Sequence, residues 1–341
     1  MTTGIRFPFE VPPVEGQALQ VADGILWLRL PLPMALDHVN IYALDDGDGW
    51  TVVDTGFMSR RGETLWQALL DGPLGAKPVT RVIATHHHPD HIGMAGWFQA
   101  RDAELLTTRT AWLYTRMLCL DVQETYPAEF LAFYRAAGMP DDMLVKRITE
   151  RPFNFSDVVA ALPLGFTRLQ DGQTVHMGQR NWTVRTGHGH APEQATFWSD
   201  DGMILGADQL LPAISANIGV YPTEPDADPL TEWLASCAAF QPLAREDHLV
   251  LPGHKLPYTG LPLRLTQMID NHEQALVRIL DTLTSPHTAH DIFPTLYRRD
   301  IGPGDYGLAL VEAVAHLNCL LRRGLVSRVL DACGRHLWQR L

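Results

Sequence analysis

The strongest constraint on the fold of this chain is a six-residue run at 86–91 that fits the pattern H-x-H-x-D-H. An apolar, strand-like stretch at 79–85 precedes the run, and small residues at 93–96 follow it. Three imidazoles and one carboxylate at the end of a buried strand are hard to explain by packing, and both groups suit zinc, iron or manganese. His86 and His88 can hold one ion. The side chains of Asp90 and His91 point elsewhere, which leaves room for a second ion.

Three further segments place a histidine or an aspartate in the same local context. They are 187–193 (GHGHAPE), 205–208 (LGAD) and 252–254 (PGH). In each one an apolar strand is followed by a glycine-containing turn and then by a candidate ligand. Ligands on loops at strand ends are what a metal cleft in a layered α/β protein requires.

These elements together resemble the metallo-β-lactamase superfamily. The resemblance rests on the HHHPDH run, on GHAPE at 189–193, on GAD at 206–208 and on PGH at 252–254. A fifth element, VDTG at 53–56, is similar to the early strand-to-helix turn of the family. The likeness covers roughly residues 20–260, with five separated elements in the expected order. It implies a four-layer αββα sandwich, whereas the sequence pattern alone indicates only a mixed α/β fold.

The resemblance also implies a role for each site residue, position by position. One ion would be held by His86, His88 and His190, and the other by Asp90, His91 and His254. Asp208 would bridge the two ions, and Asp54 would orient a ligand imidazole through a hydrogen bond. Asp90 and Asp208 are accordingly the expected catalytic carboxylates.

Two other histidines near these motifs compete for a role. His188 lies two residues before His190, but we prefer His190 because Ala-Pro-Glu follows it, as in the family pattern. His87 lies between two ligands and is expected to face away from the ions. Each histidine outside the motifs is interpreted as an ordinary structural residue.

The chain divides into two predicted domains. Residues 1–262 would form the metallo-β-lactamase-like domain. Residues 263–341 would form a small helical domain whose order of helices, glycine turn and strand resembles a winged helix; the alternative is an appendage that only packs against the first domain. Within the first domain, 108–165 is rich in aromatic residues and helix formers. We interpret it as a helical insertion that either covers the cleft as a lid or packs as ordinary core helices.

Composition limits the possible partners and the compartment. A formal net charge of −12 disfavours a general nucleic-acid binder, although it leaves room for a small anionic substrate. No stretch approaches the ~18 apolar residues of a membrane span, and the N-terminus has no apolar signal region. The four cysteines have no metal-binding spacing. These features predict a cytoplasmic protein, and they say nothing about its oligomeric state.

The ligand set predicts hydrolysis by water activated between two divalent ions, most simply zinc. A hydroxide shared by ions roughly 3.5–4 Å apart would attack an electrophilic carbonyl or phosphorus. No G-x-S-x-G nucleophile motif is present. Because a thiolate with a pKa near 8.5 leaves without protonation, we expect a thioester or activated ester of a small acyl compound, as in glyoxalase II-like enzymes and acyl thioesterases.

Two alternatives stay open at this point. The first is a metal-dependent phosphodiesterase or endoribonuclease, favoured by the seven arginines against four acidic residues at 295–341. The second is a non-catalytic regulator that binds nucleic acid through the winged-helix-like tail. The complete set of seven metal ligands argues against the second alternative.

Overall fold

The computed structural model describes residues 4–341, and fourteen strands form two large sheets and one hairpin within that range. The strands are β1 (Leu19–Ala22), β2 (Ile25–Pro31), β3 (His38–Asp45), β4 (Trp50–Val53), β5 (Val79–Ile83), β6 (Glu104–Thr108), β7 (Thr167–Leu169), β8 (Thr174–Met177), β9 (Arg180–Gly187), β10 (Gln194–Ser199), β11 (Met203–Ala207), β12 (Leu249–Pro252), β13 (Val326–Leu330) and β14 (His336–Arg340).

The two large sheets differ in the direction of their strands. The first sheet has the order β1-β2-β3-β4-β5-β6-β7, with antiparallel pairs up to β4 and parallel pairs from β4 to β7. The second has the order β12-β11-β10-β9-β8, and only β11 and β12 are parallel. As a result β9, β11 and β12 all run in the same direction and end at the same edge.

Ten α-helices in the described part of the chain cover these sheets and form most of the C-terminal region. They are α1 (Arg60–Asp71), α2 (Pro89–Ile92), α3 (Ala95–Gln99), α4 (Arg109–Leu120), α5 (Ala128–Ala136), α6 (Asp141–Thr149), α7 (Pro229–Phe240), α8 (Leu261–Thr282), α9 (Phe293–Tyr297) and α10 (Tyr306–Arg322). Helix α1 begins where the Ser59 hydroxyl accepts the N–H of Gly62, which satisfies one free donor of the first turn.

Three apolar cores show that the layers are stacked as helix, sheet, sheet and helix. Alternate strand residues point to opposite faces, so Val52 of β4 packs with Trp66 of α1 while Val53 faces the second sheet. In the second sheet, Phe197 faces the first sheet and Trp198 packs among α7 and α8. The four-layer αββα fold implied by the resemblance is therefore confirmed.

The helical insertion is present between β6 and β7, where it supplies α4, α5 and α6. A capping interaction starts α4, because the Thr108 hydroxyl accepts the N–H of Ala111. Helix α4 also contacts a short helical turn at Phe155–Asp157 that closes the insertion. Whether the insertion moves as a lid stays a prediction.

The C-terminal region contains two long helices and a hairpin. Helix α8 packs against α7 and α9, and α10 packs against α7 and β13. All of these helices contribute to a single apolar core, in which Leu276, Leu310 and Trp338 are almost completely buried. Helix α10, the glycine turn and strand β13 match the predicted order, and β14 adds a second strand that the pattern did not predict. The domain boundary after residue 262 stays a prediction.

The short helix α9 differs from the expectation for this region. The pattern at 288–296 predicts a helix, but the helix occupies only Phe293–Tyr297. Before it, the Asp291 carboxylate accepts the N–H and the hydroxyl of Thr288, forming a local turn instead. No helix within residues 4–341 is long and apolar enough to cross a membrane.

Candidate metal centre

The predicted ligands lie together because five strands end at one edge of the two-sheet sandwich. In the first sheet, Asp54 comes directly after β4 and the 86–91 run follows β5. In the second sheet, His190 follows β9, Asp208 follows β11 and His254 follows β12. The fold thus brings the ligands of these separate strand-turn-ligand segments together in one cluster of side chains.

Three imidazoles form the first part of the cluster. The Nδ1 atom of His88 lies 3.0 Å from Nε2 of His86 and 2.9 Å from Nε2 of His190. The three rings approach edge to face, so their nitrogens point at a common centre. These three nitrogens are the ones that could share a metal ion.

The second part of the cluster combines imidazoles with carboxylates. Oδ2 of Asp90 lies 3.4 Å from Nε2 of both His91 and His254. Asp208 lies between the two parts: its Oδ1 is 3.4 Å from Nε2 of His91, and its Oδ2 is 3.3 Å from Nε2 of both His190 and His254. The structure therefore brings all seven predicted ligands together, with Asp208 in the central position.

Hydrogen bonds behind the rings determine which nitrogens face the centre without a proton. His190 Nδ1 donates to the carbonyl of Asn217 (2.8 Å), and His254 Nδ1 donates to the carbonyl of His38 (2.7 Å). His91 Nδ1 donates to Oδ2 of Asp54 (2.8 Å). In the neutral tautomers each of these rings presents a lone pair on Nε2 to the centre of the cluster.

The cluster is therefore suited to bind cations. Two buried atoms that point into it, Nε2 of His91 and Oδ1 of Asp208, have no hydrogen-bond partner. A buried polar atom without a partner is costly, and lone pairs that face one another repel unless a cation lies between them. The donor set of imidazole nitrogens and carboxylate oxygens fits a pair of divalent transition-metal ions.

The electrostatics of the two parts differ. Burial lowers the pKa of His86 and of His88 well below the usual value, so these rings are neutral ligands. Burial alone would also lower the pKa of His254, but the charge of Asp208 and hydrogen bonds with Asp208 and Asp90 raise it to about 10. The carboxylates thus require positive charge beside them, which protons supply when no metal ion does.

Sharp turns aim the ligands into the cluster. Asp54 and Ala207 have positive φ angles of 64° and 45°, an uncommon backbone conformation for non-glycine residues. Gly253 precedes His254 in the PGH motif, and a Cβ atom on it would lie 2.3 Å from Oδ1 of Asp208. The glycine is needed here because the backbone of this turn approaches the central carboxylate directly.

Asp54 has the contacts expected of an orienting residue. It is 2% exposed, its Oδ1 accepts the N–H of Thr85 (2.9 Å), and its Oδ2 accepts the hydroxyl of Thr85 (3.0 Å) besides His91. The Thr85 hydroxyl in turn lies 3.0 Å from Nδ1 of His86. One carboxylate therefore positions a ligand in each part of the cluster.

The two competing histidines lie outside the cluster. Nδ1 of His188 accepts the N–H of Glu193 (3.4 Å), and the N–H of His188 donates to the Ser236 hydroxyl. His87 faces the insertion, where its ring lies 5.1 Å from Tyr114 and stacks 6.3 Å from Phe155. The structure places neither ring among the ligand nitrogens.

Sequence reasoning missed the partners that act through backbone atoms or through the insertion. The carbonyls of Asn217 and His38 orient two ligand rings, and any residue type could supply a carbonyl, so no sequence signal marks them. Glu193 binds the N–H and the hydroxyl of Thr110 at the start of α4, connecting the His190 loop to the insertion. The Glu of the GHAPE element was a usable signal for this contact.

Comparisons with known proteins agree with this geometry. The family model for the metallo-beta-lactamase superfamily matches residues 34–254, and the model for a metallo-beta-lactamase-like C-terminal domain matches residues 276–341. The chain is similar to the probable metallo-hydrolase YqjP of Bacillus subtilis (strain 168), with 24% identity over 311 residues that cover 87% of this chain and 92% of the relative.

Two solved structures have the same fold over nearly the whole chain. A beta-lactamase domain protein from Burkholderia ambifaria is 34% identical, with a TM-score of 0.91 and coverage of 99% of this chain and 98% of the other. A metallo-beta-lactamase family protein from Thermus thermophilus is 24% identical, with a TM-score of 0.79 and coverage of 94% and 100%, a likeness that concerns the fold alone. The matched family model spans more than half of the sequence, and the chain belongs to the metallo-beta-lactamase superfamily.

Proposed function

We propose that this protein is a hydrolase that uses two divalent metal ions, most simply zinc, to cleave a thioester or an activated ester of a small acyl compound. The observation that carries the proposal is the convergence of seven side chains from separate strand ends, with their lone pairs directed at one another. A relative with 24% identity is named a probable metallo-hydrolase, which supports hydrolysis as the general reaction class.

Each part of the cluster has a role in this proposal. One ion would be held by His86, His88 and His190. The other would be held by Asp90, His91 and His254, and Asp208 would contact both ions. Two ions held in this way would lower the pKa of a water molecule to about 7 and polarise the carbonyl group of the substrate. The residues of the chain fix the geometry: the carbonyl and carboxylate partners behind the rings prevent the imidazoles from rotating.

The insertion supports an acyl substrate. Tyr114 and Phe155 cover His87, whose ring centre lies 4.5 Å from that of His88. An aromatic wall thus begins directly beside the first part of the cluster. Such a wall suits an apolar acyl chain, and a thiolate leaving group needs no proton donor.

The phosphodiesterase alternative loses part of its support. Five of the seven arginines at 295–341 pair with carboxylates at 2.7–3.6 Å, and a sixth, Arg322, donates to the carbonyl of Asp226. A guanidinium that is already paired contributes less to binding a phosphate backbone. The positive charge at 295–341, which favoured nucleic-acid binding, is therefore largely neutralised by acidic residues of the same chain.

The test combines metal analysis with a substrate panel. The purified protein should contain two divalent ions per chain by elemental analysis, and it should hydrolyse an acyl thioester faster than a lactone or a bis-aryl phosphodiester. His88→Ala and Asp208→Ala should abolish this turnover while circular dichroism stays unchanged. Full activity in either variant, or a preference for the phosphodiester, would overturn the proposal.

A further inference from the structure

The 209–228 loop, which joins β11 to α7, connects the metal cluster to the C-terminal region. It begins directly after Asp208, and the carbonyl of Asn217 at its midpoint accepts the Nδ1 proton of His190 at 2.8 Å. The orientation of His190 therefore depends on where this loop lies. A loop of twenty residues without helix or strand needs external contacts to be fixed.

Helix α10 supplies the contact at the critical position. The side-chain amide of Asn217 donates both to the carbonyl of Leu308 (3.1 Å) and to Oε2 of Glu312 (3.0 Å). Three residues later the N–H of Val220 donates to the carbonyl of Val311. Asn217 thus uses its backbone to hold the ligand imidazole and its side chain to hold α10.

The rest of the loop is fixed by the same region of the chain. Asn318 of α10 donates to the carbonyls of Pro225 and Ala227, at 3.0 and 2.9 Å. Arg264 of α8, which is only 8% exposed, donates to the carbonyls of Leu211 and Ile214. A guanidinium buried in order to bind two loop carbonyls indicates that the position of the loop is specified rather than incidental.

We propose that the C-terminal helix α10 positions a metal ligand, through a relay from Glu312 to Asn217 to His190. This inference rests on the proposed function, because it assumes that His190 binds an ion. In this arrangement the C-terminal region completes the metal centre. Glu312 and Asn217 are positioning residues, since neither side chain touches the cluster.

Substitutions of Glu312 test the relay. Glu312→Ala removes one of the two acceptors of the Asn217 amide and leaves the carbonyl of Leu308 as the other. We expect about tenfold weaker binding of one zinc equivalent, the low end of the effect of losing an outer hydrogen bond. Glu312→Gln keeps an oxygen acceptor and should restore binding close to that of the wild-type protein. Zinc affinity for each equivalent is measured by competition with a chelator, and the visible spectrum of the cobalt(II)-loaded protein reports a change at one ion.

Glu273→Ala is the matched control. Glu273 of α8 makes a two-pronged ion pair with Arg323 at the end of α10, with both distances 2.7 Å. Its loss weakens the attachment of α10 without removing a hydrogen bond of the 209–228 loop. Zinc affinity and the cobalt spectrum should therefore stay unchanged in this variant, even if the unfolding temperature falls.

Three results would overturn the relay: wild-type zinc affinity in Glu312→Ala, equal weakening in Glu273→Ala, or no rescue by Glu312→Gln. If Glu312→Ala does not fold, Asn217→Ala provides the same test, because it keeps the backbone carbonyl but loses both side-chain anchors. A wild-type protein that binds no zinc would instead overturn the proposed function and this inference with it. The wild-type measurement therefore distinguishes the two failures.

Discussion

Replacement of Asp54 by asparagine should separate the orientation of a ligand from the integrity of the fold. Asp54 is buried, and it accepts the Nδ1 proton of His91 at 2.8 Å and the N–H of Thr85 at 2.9 Å. Asparagine has the same shape and tolerates the positive φ of 64° at this position. The variant therefore keeps the shape of the side chain, while it removes the negative charge beside His91 and replaces one acceptor oxygen by a donor NH₂ group.

Both orientations of the new amide are unfavourable. If its NH₂ group faces His91, it donates to Nδ1, and the imidazole proton moves to Nε2, the atom that faces Asp90 and Asp208. If the NH₂ group faces the N–H of Thr85, two donors meet, which costs about 1–3 kcal/mol for a buried donor left unsatisfied. We expect zinc affinity at the His91 position to fall about 10–100-fold, or about 1.4–2.7 kcal/mol.

The assay is a zinc titration against a chelator, with circular dichroism to verify folding. One equivalent should bind more weakly, and the equivalent held by His86, His88 and His190 should be less affected. Asp201→Asn is the control, because Asp201 pairs with Arg180 on the surface and lies away from the cluster. If both equivalents bind to Asp54→Asn with wild-type affinity, the orienting role of this carboxylate is refuted.

Three further predictions follow from other parts of the structure. His190→Ala should lose metal-dependent turnover while His188→Ala keeps most of it, because only His190 points into the cluster; the reverse order in kinetic assays would exchange the two assignments. Binding of an acyl substrate should depend weakly on salt between 50 and 200 mM, and a loss of about 10³-fold or more would indicate many phosphate contacts instead. Burial lowers the pKa of His272 to about 3 and of His316 to about 4, so the unfolded chain takes up protons below about pH 6.5 while the folded chain does not. The free energy of unfolding should therefore fall on acidification from pH 7.5 to 5.0, and His272→Leu should reduce that fall in urea titrations; an equal fall in the variant would contradict the assignment.

Predictions from the sequence were correct where they depend only on the residues of one short segment. The 86–91 run lies at the end of β5, as its preceding apolar stretch predicts. Strand β10 at Gln194–Ser199 gave no comparable signal. It is buried along its whole length between other strands, so it shows no alternation of apolar and polar residues.

What the sequence by itself determined is the chemistry: which imidazoles and carboxylates occur at strand ends, and in what order. Ligand type and turn residues are local properties, so they can be identified without knowing what lies nearby. Only the tertiary structure decided how those groups are held. The carbonyl of Asn217 orients His190 because α10, about ninety residues further along the chain, fixes the loop that carries it. A backbone carbonyl has no sequence signature, and contacts over such a separation exist only once the chain has folded.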